Sequence, residues 1–153
     1  MGTIMYTPSF FTDTEWEFLV AAVERLIPDG EAGPGGLEAG VPVFIDRRME
    51  APCGHGACWY MLAPFLADTP PVVEQQMRYP PRDLYRRGIA GADKAFRKEN
   101  GYSFARADRA ERDSFLFRLA AGRVRVDGPP ARAFFRQLLG DIKQGYLAGA
   151  PVW

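Results

Sequence analysis

In the stretch APCGHGACWY, Cys53, His55 and Cys58 fall within six positions, directly ahead of Trp59 and Tyr60. Thiolate and imidazole can bind soft metals or act as nucleophile and base, and two thiols can close a disulfide. The chain has one histidine and two cysteines, so this segment holds all of both. A c-type haem attachment needs two cysteines separated by two residues and followed at once by histidine. Here four residues separate the cysteines and His55 lies between them, which argues against covalent haem. A closed zinc site takes four ligands, and the fourth would have to be Asp46 or Asp68 folded back onto the segment. A Cys53–Cys58 disulfide suits a short glycine-rich loop in an oxidising compartment. Nucleophilic chemistry would need the imidazole about 3 Å from the thiol and a third group to orient it, a geometry that neighbours on one loop rarely reach. Spacing alone leaves open a disulfide, a small redox or metal-handling protein, and an ordered contact loop.

Other chemistries find less support. Asp13, Glu15, Asp108, Glu111 and Asp113 gather in predicted first helical turns, where carboxylates offset the unpaired N–H groups. There is no Glu-x-x-His pair of the kind that builds di-iron bundles. GEAGPGG lacks the Gly-x-Gly-x-x-Gly order and any Gly-Lys-Ser/Thr ending of a phosphate loop. Arg82, Arg86, Arg87, Lys94, Arg97 and Lys98 share one segment, but Asp83, Asp93 and Glu99 interrupt it, as on a solvated helix face. No catalytic, cofactor-binding or metal-binding residue is therefore assigned.

The elements that must position the Cys/His segment are helical. With 153 residues, nineteen basic and nineteen acidic side chains, the chain has the size of one domain and a formal charge of zero, a balance that does not suggest nucleic acid. No segment approaches the roughly twenty apolar residues that span a bilayer, so no direct membrane insertion is expected. Thr12 and Glu15 form a capping-box pattern, followed by a stripe of Trp16, Leu19, Val20, Val23, Leu26 and Ile27 that Pro28 stops. A second helix is predicted over 37–49, with Pro42 tolerable only in a first turn or at a kink. CWYMLAPFL reads as a partial helix. Leu84, Tyr85, Ile89, Ala92 and Phe96 give a third helix, ended by Gly101. Asp108 and Glu111 cap a fourth that stops at Gly122, and Phe134, Phe135, Leu138, Leu139, Ile142 and Tyr146 mark the last, with Pro129 and Pro130 expected in its first turn. No alternating strand pattern or internal repeat appears. The expected fold is all-α: one compact, irregular domain over 1–153 of about five main helices joined by long Pro/Gly-rich loops, with 1–10 and 149–153 as peripheral ends. Phe10, Phe11, Trp59, Tyr60, Phe65, Tyr79, Tyr102 and Trp153 lie near loops, where aromatic side chains either anchor a partner or turn inward.

The order of these pieces resembles the small subunit family of gluconate 2-dehydrogenase and related flavoprotein dehydrogenase complexes. The similar segments are FTDTEWEFLVAAVERLIPDGEAGPGGLEAGVPVFIDRRM, CGHGACWYMLAPF, YPPRDLYRRGIAGADKAFRKENGYSFARADRAERDSFLFRLAAG and ARAFFRQLLGDIKQGYLAG, which together cover most of residues 10 to 148. The resemblance implies a non-catalytic helical accessory subunit that supports folding, assembly or export of a large FAD-dependent dehydrogenase subunit of the glucose-methanol-choline type. That partner would act on a sugar or sugar acid. FAD would belong to the large subunit, and haem c to a multihaem cytochrome as a third subunit. It also implies a periplasmic location at the membrane through partners. The twin-arginine leader common in the family does not precede MYTPSFFTDTEW, which keeps a cytoplasmic location open. The family segment GHGxxWYMxxPF is present as GHGACWYMLAPF, whereas Cys53 and Cys58 are additions to it and the usual glycine–asparagine tail is absent. Gly54, His55, Gly56, Trp59, Tyr60 and Phe65 are the expected interface residues: glycine permits close backbone approach, histidine can pair through both nitrogens, and tryptophan can fill a partner pocket. Alternatives from other classes are the redox or metal-handling use of Cys53, His55 and Cys58, and a homo-oligomeric scaffold.

Overall fold

The computed structural model describes residues 6–28, 30, 33, 35–50, 80–126 and 129–149. Helix α1, Asp13–Leu26, begins as its sequence dictates. Glu15 N donates to Thr12 Oγ1 at 3.3 Å and Thr12 N donates to the Glu15 carboxylate at 2.9 Å, closing the capping box. Its buried arc is wider than the predicted stripe. Phe18, Ala21 and Ala22 join Leu19 and Val23 in the core, while Trp16, Val20 and Leu26 are only half-buried. The helix is in contact with neighbours on several sides, and one narrow stripe would not cover them all.

Helix α2, Val41–Glu50, starts later than the predicted 37–49, because residues 36–40 form turns and Gly40 takes a left-handed φ of 80°. Pro42 then lies in the first turn, where a missing N–H removes no intrahelical bond. Helix α3, Pro81–Asn100, has Pro81 at its start and ends at Gly101, whose φ of 83° lets its N–H donate to the Arg97 carbonyl at 2.7 Å. A single 3-10 turn, Phe104–Arg106, is tied back to α3, since Phe104 N donates to Asp93 at 3.0 Å. Helix α4, Arg109–Ala120, carries the second capping box, between Asp108 and Glu111. Helix α5, Ala131–Gly149, follows Pro130, whose carbonyl accepts from Phe134 N at 3.1 Å. The two prolines thus precede the helix rather than occupying its first turn.

Helix α1 packs on α2, α3, α4 and the 3-10 turn, and α5 packs on α2, α3 and α4. The core between them is aromatic: Phe18, Tyr85, Phe96, Phe104, Phe115 and Phe134 are all fully buried. Their rings touch in tilted and edge-on pairs, including Phe18–Phe104 at 4.7 Å and Phe96–Phe115 at 5.2 Å, a geometry that adds about 1 kcal/mol per pair beyond burial. Helices α3 and α5 cross closely at Gly88, where a Cβ would lie 2.3 Å from Phe134 Cδ1. Phe10 and Phe11, two of the loop-adjacent aromatics, belong to this core, whereas Tyr102 is 39% exposed and donates its hydroxyl to Glu111. Among the described residues there are five α-helices and no strand, only an isolated bridge between Gly30 and Gly33. The fold is all-α.

Candidate partner interface

The expected interface residues Gly54, His55, Gly56, Trp59, Tyr60 and Phe65, and the cysteines Cys53 and Cys58, all lie in 51–79, outside the described residues. The structure describes what brackets them. Helix α2 ends at Glu50 and α3 begins at Pro81. Arg82 Nη2 lies 3.4 Å from Glu50 Oε1, so the outgoing and returning chain meet at an ion pair. An exposed pair of this kind contributes at most about 1 kcal/mol, so the base must be fixed by what is buried beneath it.

Two buried carboxylates do that. Asp46 on α2 is fully buried and gathers five donors from residues 6–11. Its Oδ2 accepts from Tyr6 Oη at 2.6 Å, Ser9 N at 2.8 Å and Ser9 Oγ at 3.1 Å, and its Oδ1 accepts from Phe10 N at 2.9 Å and Phe11 N at 3.1 Å. Burial pushes this carboxyl up, but the hydrogen bonds from Tyr6 and from the backbone of Ser9, Phe11 and Phe10 together outweigh it and hold Asp46 below its ordinary value. Burial, and then the hydrogen bond to Asp46, raise the Tyr6 hydroxyl in turn. The segment 6–11 is thereby bound across α2 and presented to α3. There Phe10 lies under two guanidinium groups, Arg86 at 4.4 Å and Arg82 at 4.8 Å from its ring centroid. Arg86 also donates to the Phe10 carbonyl at 3.2 Å and pairs with Glu15 at 3.3 Å. Segment 6–11, the end of α2 and the start of α3 are therefore one joined surface.

Asp141, on α5, is the second. It accepts from Tyr85 Oη at 2.7 Å and from Gln137 Nε2 at 2.8 Å, and Arg48 Nε stands 3.7 Å away. Arg48 also donates to Gln144. Burial raises Asp141 above the usual carboxylate value, and the bonds from Gln137 and Tyr85 and the charge of Arg48 offset only part of that. Tyr85, fully buried, is pushed well above an ordinary phenol by burial first and by its carboxylate neighbour second. This network ties α2, α3 and α5 together.

Sequence reasoning named Asp46 only as a possible fourth zinc ligand, whereas the structure engages it with residues 6–11, and it did not single out Asp141. A signal was present, because each carboxylate interrupts an apolar helical stripe: Asp46 shares a face with Pro42 and Met49, and Asp141 with Leu138 and Gly145. A charge on a core-facing position is either paired or absent in a stable fold. Both carboxylates are engaged by structural partners, Asp46 with the backbone and side chains of residues 6–11 and Asp141 with the side chains of Tyr85, Gln137 and Arg48. Among the described residues, no cluster of three or more His, Cys, Asp or Glu side chains is placed to hold a metal ion, and no helix is long and apolar enough to cross a membrane.

The comparisons bear on what such a base would serve. A family model described as gluconate 2-dehydrogenase subunit 3 matches residues 13–152. No curated protein and no solved structure matches the chain.

Proposed function

The chain belongs to the gluconate 2-dehydrogenase subunit 3 family, accessory subunits of flavoprotein dehydrogenase complexes, and from that membership we propose how it meets its partner. It docks on the large FAD-dependent subunit through residues 53–65, with Trp59 as the apolar anchor, His55 as a two-sided hydrogen-bonding group and Gly54 and Gly56 allowing close backbone approach. Tyr60 and Phe65 complete the contact. Cys53 and Cys58 form a disulfide that constrains the same segment. By binding, the subunit supports folding, assembly or export of the flavoprotein, and supplies no catalytic group itself. FAD stays with the partner, a multihaem cytochrome c takes the electrons onward, and the complex works in the periplasm at the membrane.

The observation that carries this reading is the family match over 13–152, which runs through both the helical scaffold and the whole 51–79 segment. The stapled base at Glu50 and Arg82 supports it, since a recognition segment is effective when its ends are held. The test is to co-express the chain with its large flavoprotein subunit, purify by a tag on this chain, and measure subunit stoichiometry and flavin absorbance. A one-to-one complex carrying FAD is expected, and Trp59→Ala should weaken it about tenfold or more while leaving the fold intact. A chain that emerges alone and free of flavin would overturn the reading.

A further inference from the structure

The neutral total charge hides a strongly uneven distribution. Between residues 114 and 140 the charged side chains are Arg118, Arg123, Arg125, Arg132, Arg136 and a single acid, Asp127. Arg118 is neutralised by Glu99, with guanidinium nitrogens 2.7 and 3.2 Å from its two carboxylate oxygens. The other four arginines are exposed, and none enters an ion pair among the described residues.

They sit together. Gly122, which ends α4 with φ 73°, is so close to α5 that a Cβ there would meet Arg132 Cδ at 2.6 Å. Arg123 is its chain neighbour, and Arg136 lies one turn beyond Arg132 on the same face of α5. Beside them the last turn of α4 presents Phe117, 70% exposed, with exposed Ala120 and Ala121 at the i+3 and i+4 positions of the same face. An apolar centre with small neighbours that permit close approach, bordered by charge, has the anatomy of a protein interface.

We infer that this α4–α5 corner is a docking surface for a carboxylate-rich protein surface. Guanidinium forks match carboxylates in two-pronged pairs, as the chain itself does at Arg118–Glu99 and again at Arg25–Asp113. Phe117 supplies the desolvated contact that a purely electrostatic patch lacks. The inference rests on the accessory-subunit reading in one respect, that the large flavoprotein subunit bears the acidic surface. It adds a second contact, on α4 and α5, distinct from the Glu50–Arg82 base on α2 and α3.

The experiment measures affinity of the full chain for the large flavoprotein subunit, at low and at raised salt. The combined variant R123E/R125E/R132E/R136E is expected to bind at least about tenfold more weakly at low salt, with the deficit shrinking as salt rises. The milder R132Q/R136Q, and separately Phe117→Ala, guard against misfolding and are expected to lose affinity by a smaller factor, with unfolding midpoints unchanged. Wild-type affinity in all of these variants would overturn the inference while leaving the accessory reading standing. Failure of the wild-type chain to bind the flavoprotein would overturn both. Binding of the wild type to phosphatidylglycerol vesicles or to single-stranded RNA, lost in the quadruple variant while flavoprotein affinity is unchanged, would reassign the patch and overturn the proposal.

Discussion

Asp46 on α2 and Asp141 on α5 are both buried carboxylates, yet their pKa values are shifted in opposite directions. Asp46 has five donors, three of them backbone N–H groups, and sits below the ordinary carboxylate value. Asp141 has two neutral donors and a guanidinium at 3.7 Å, and sits above it. The donors decide the outcome, because a charge removed from water must recover its solvation from fixed dipoles. The first group uses its ionised form to fasten a distant segment. The second joins three helices through Tyr85, Gln137 and Arg48.

The sharpest way to break this contrast is Asp46→Ala. It strands the N–H groups of Phe10 and Phe11 in the core and releases segment 6–11, so a loss of about 3 to 5 kcal/mol is expected in urea unfolding. A loss no larger than that of Asp141→Ala would abolish the distinction. Tyr85→Phe should cost less, about 1 to 2 kcal/mol, by removing one donor from an acid that is already short of them. It should also drive Asp141 further upward.

The pH dependence separates the two by sign. Asp46 is depressed, so its contribution is present above the ordinary value of 3.8 and disappears as pH falls through its lower folded value. Asp141 is raised, so its contribution is complete below 3.8 and is lost as pH climbs through its higher folded value. Asp46→Asn should therefore flatten the acid limb of a stability–pH curve. Asp141→Asn should remove the decline on the other side and change stability at neutral pH by no more than about 1 kcal/mol. The smallest effect is expected from Glu50→Gln, within about 0.5 kcal/mol for a solvent-exposed pair. Calorimetry on both carboxamide variants and on Glu50→Gln would rank all of these together.

What the sequence disclosed follows the range of the interactions involved. Both capping boxes, the Gly101 terminator and the order of the helices were legible, because each is written within four or five consecutive residues. The start of α2 was misplaced, since the apolar spacing of Leu37 and Val41 continues through turns at 36–40 that only the backbone reveals. The role of Asp46 was hidden because its partners lie 35 to 40 positions earlier in the chain. The arginine corner was partly concealed for a similar reason. Arg123 and Arg132 become neighbours only when α4 and α5 pack.

The pinned base at Glu50 and Arg82 has a consequence for how this protein can diversify. Closing an excursion between two fixed points costs entropy that grows only with the logarithm of its length, about 0.6 kcal/mol for each doubling. Asp46 and Asp141 hold the two ends of the connection, Glu50 and Arg82, so a change of length between them adds little to the cost of closing it. The scaffold is in that sense a mount. The described helices fix where the connection between α2 and α3 leaves and returns.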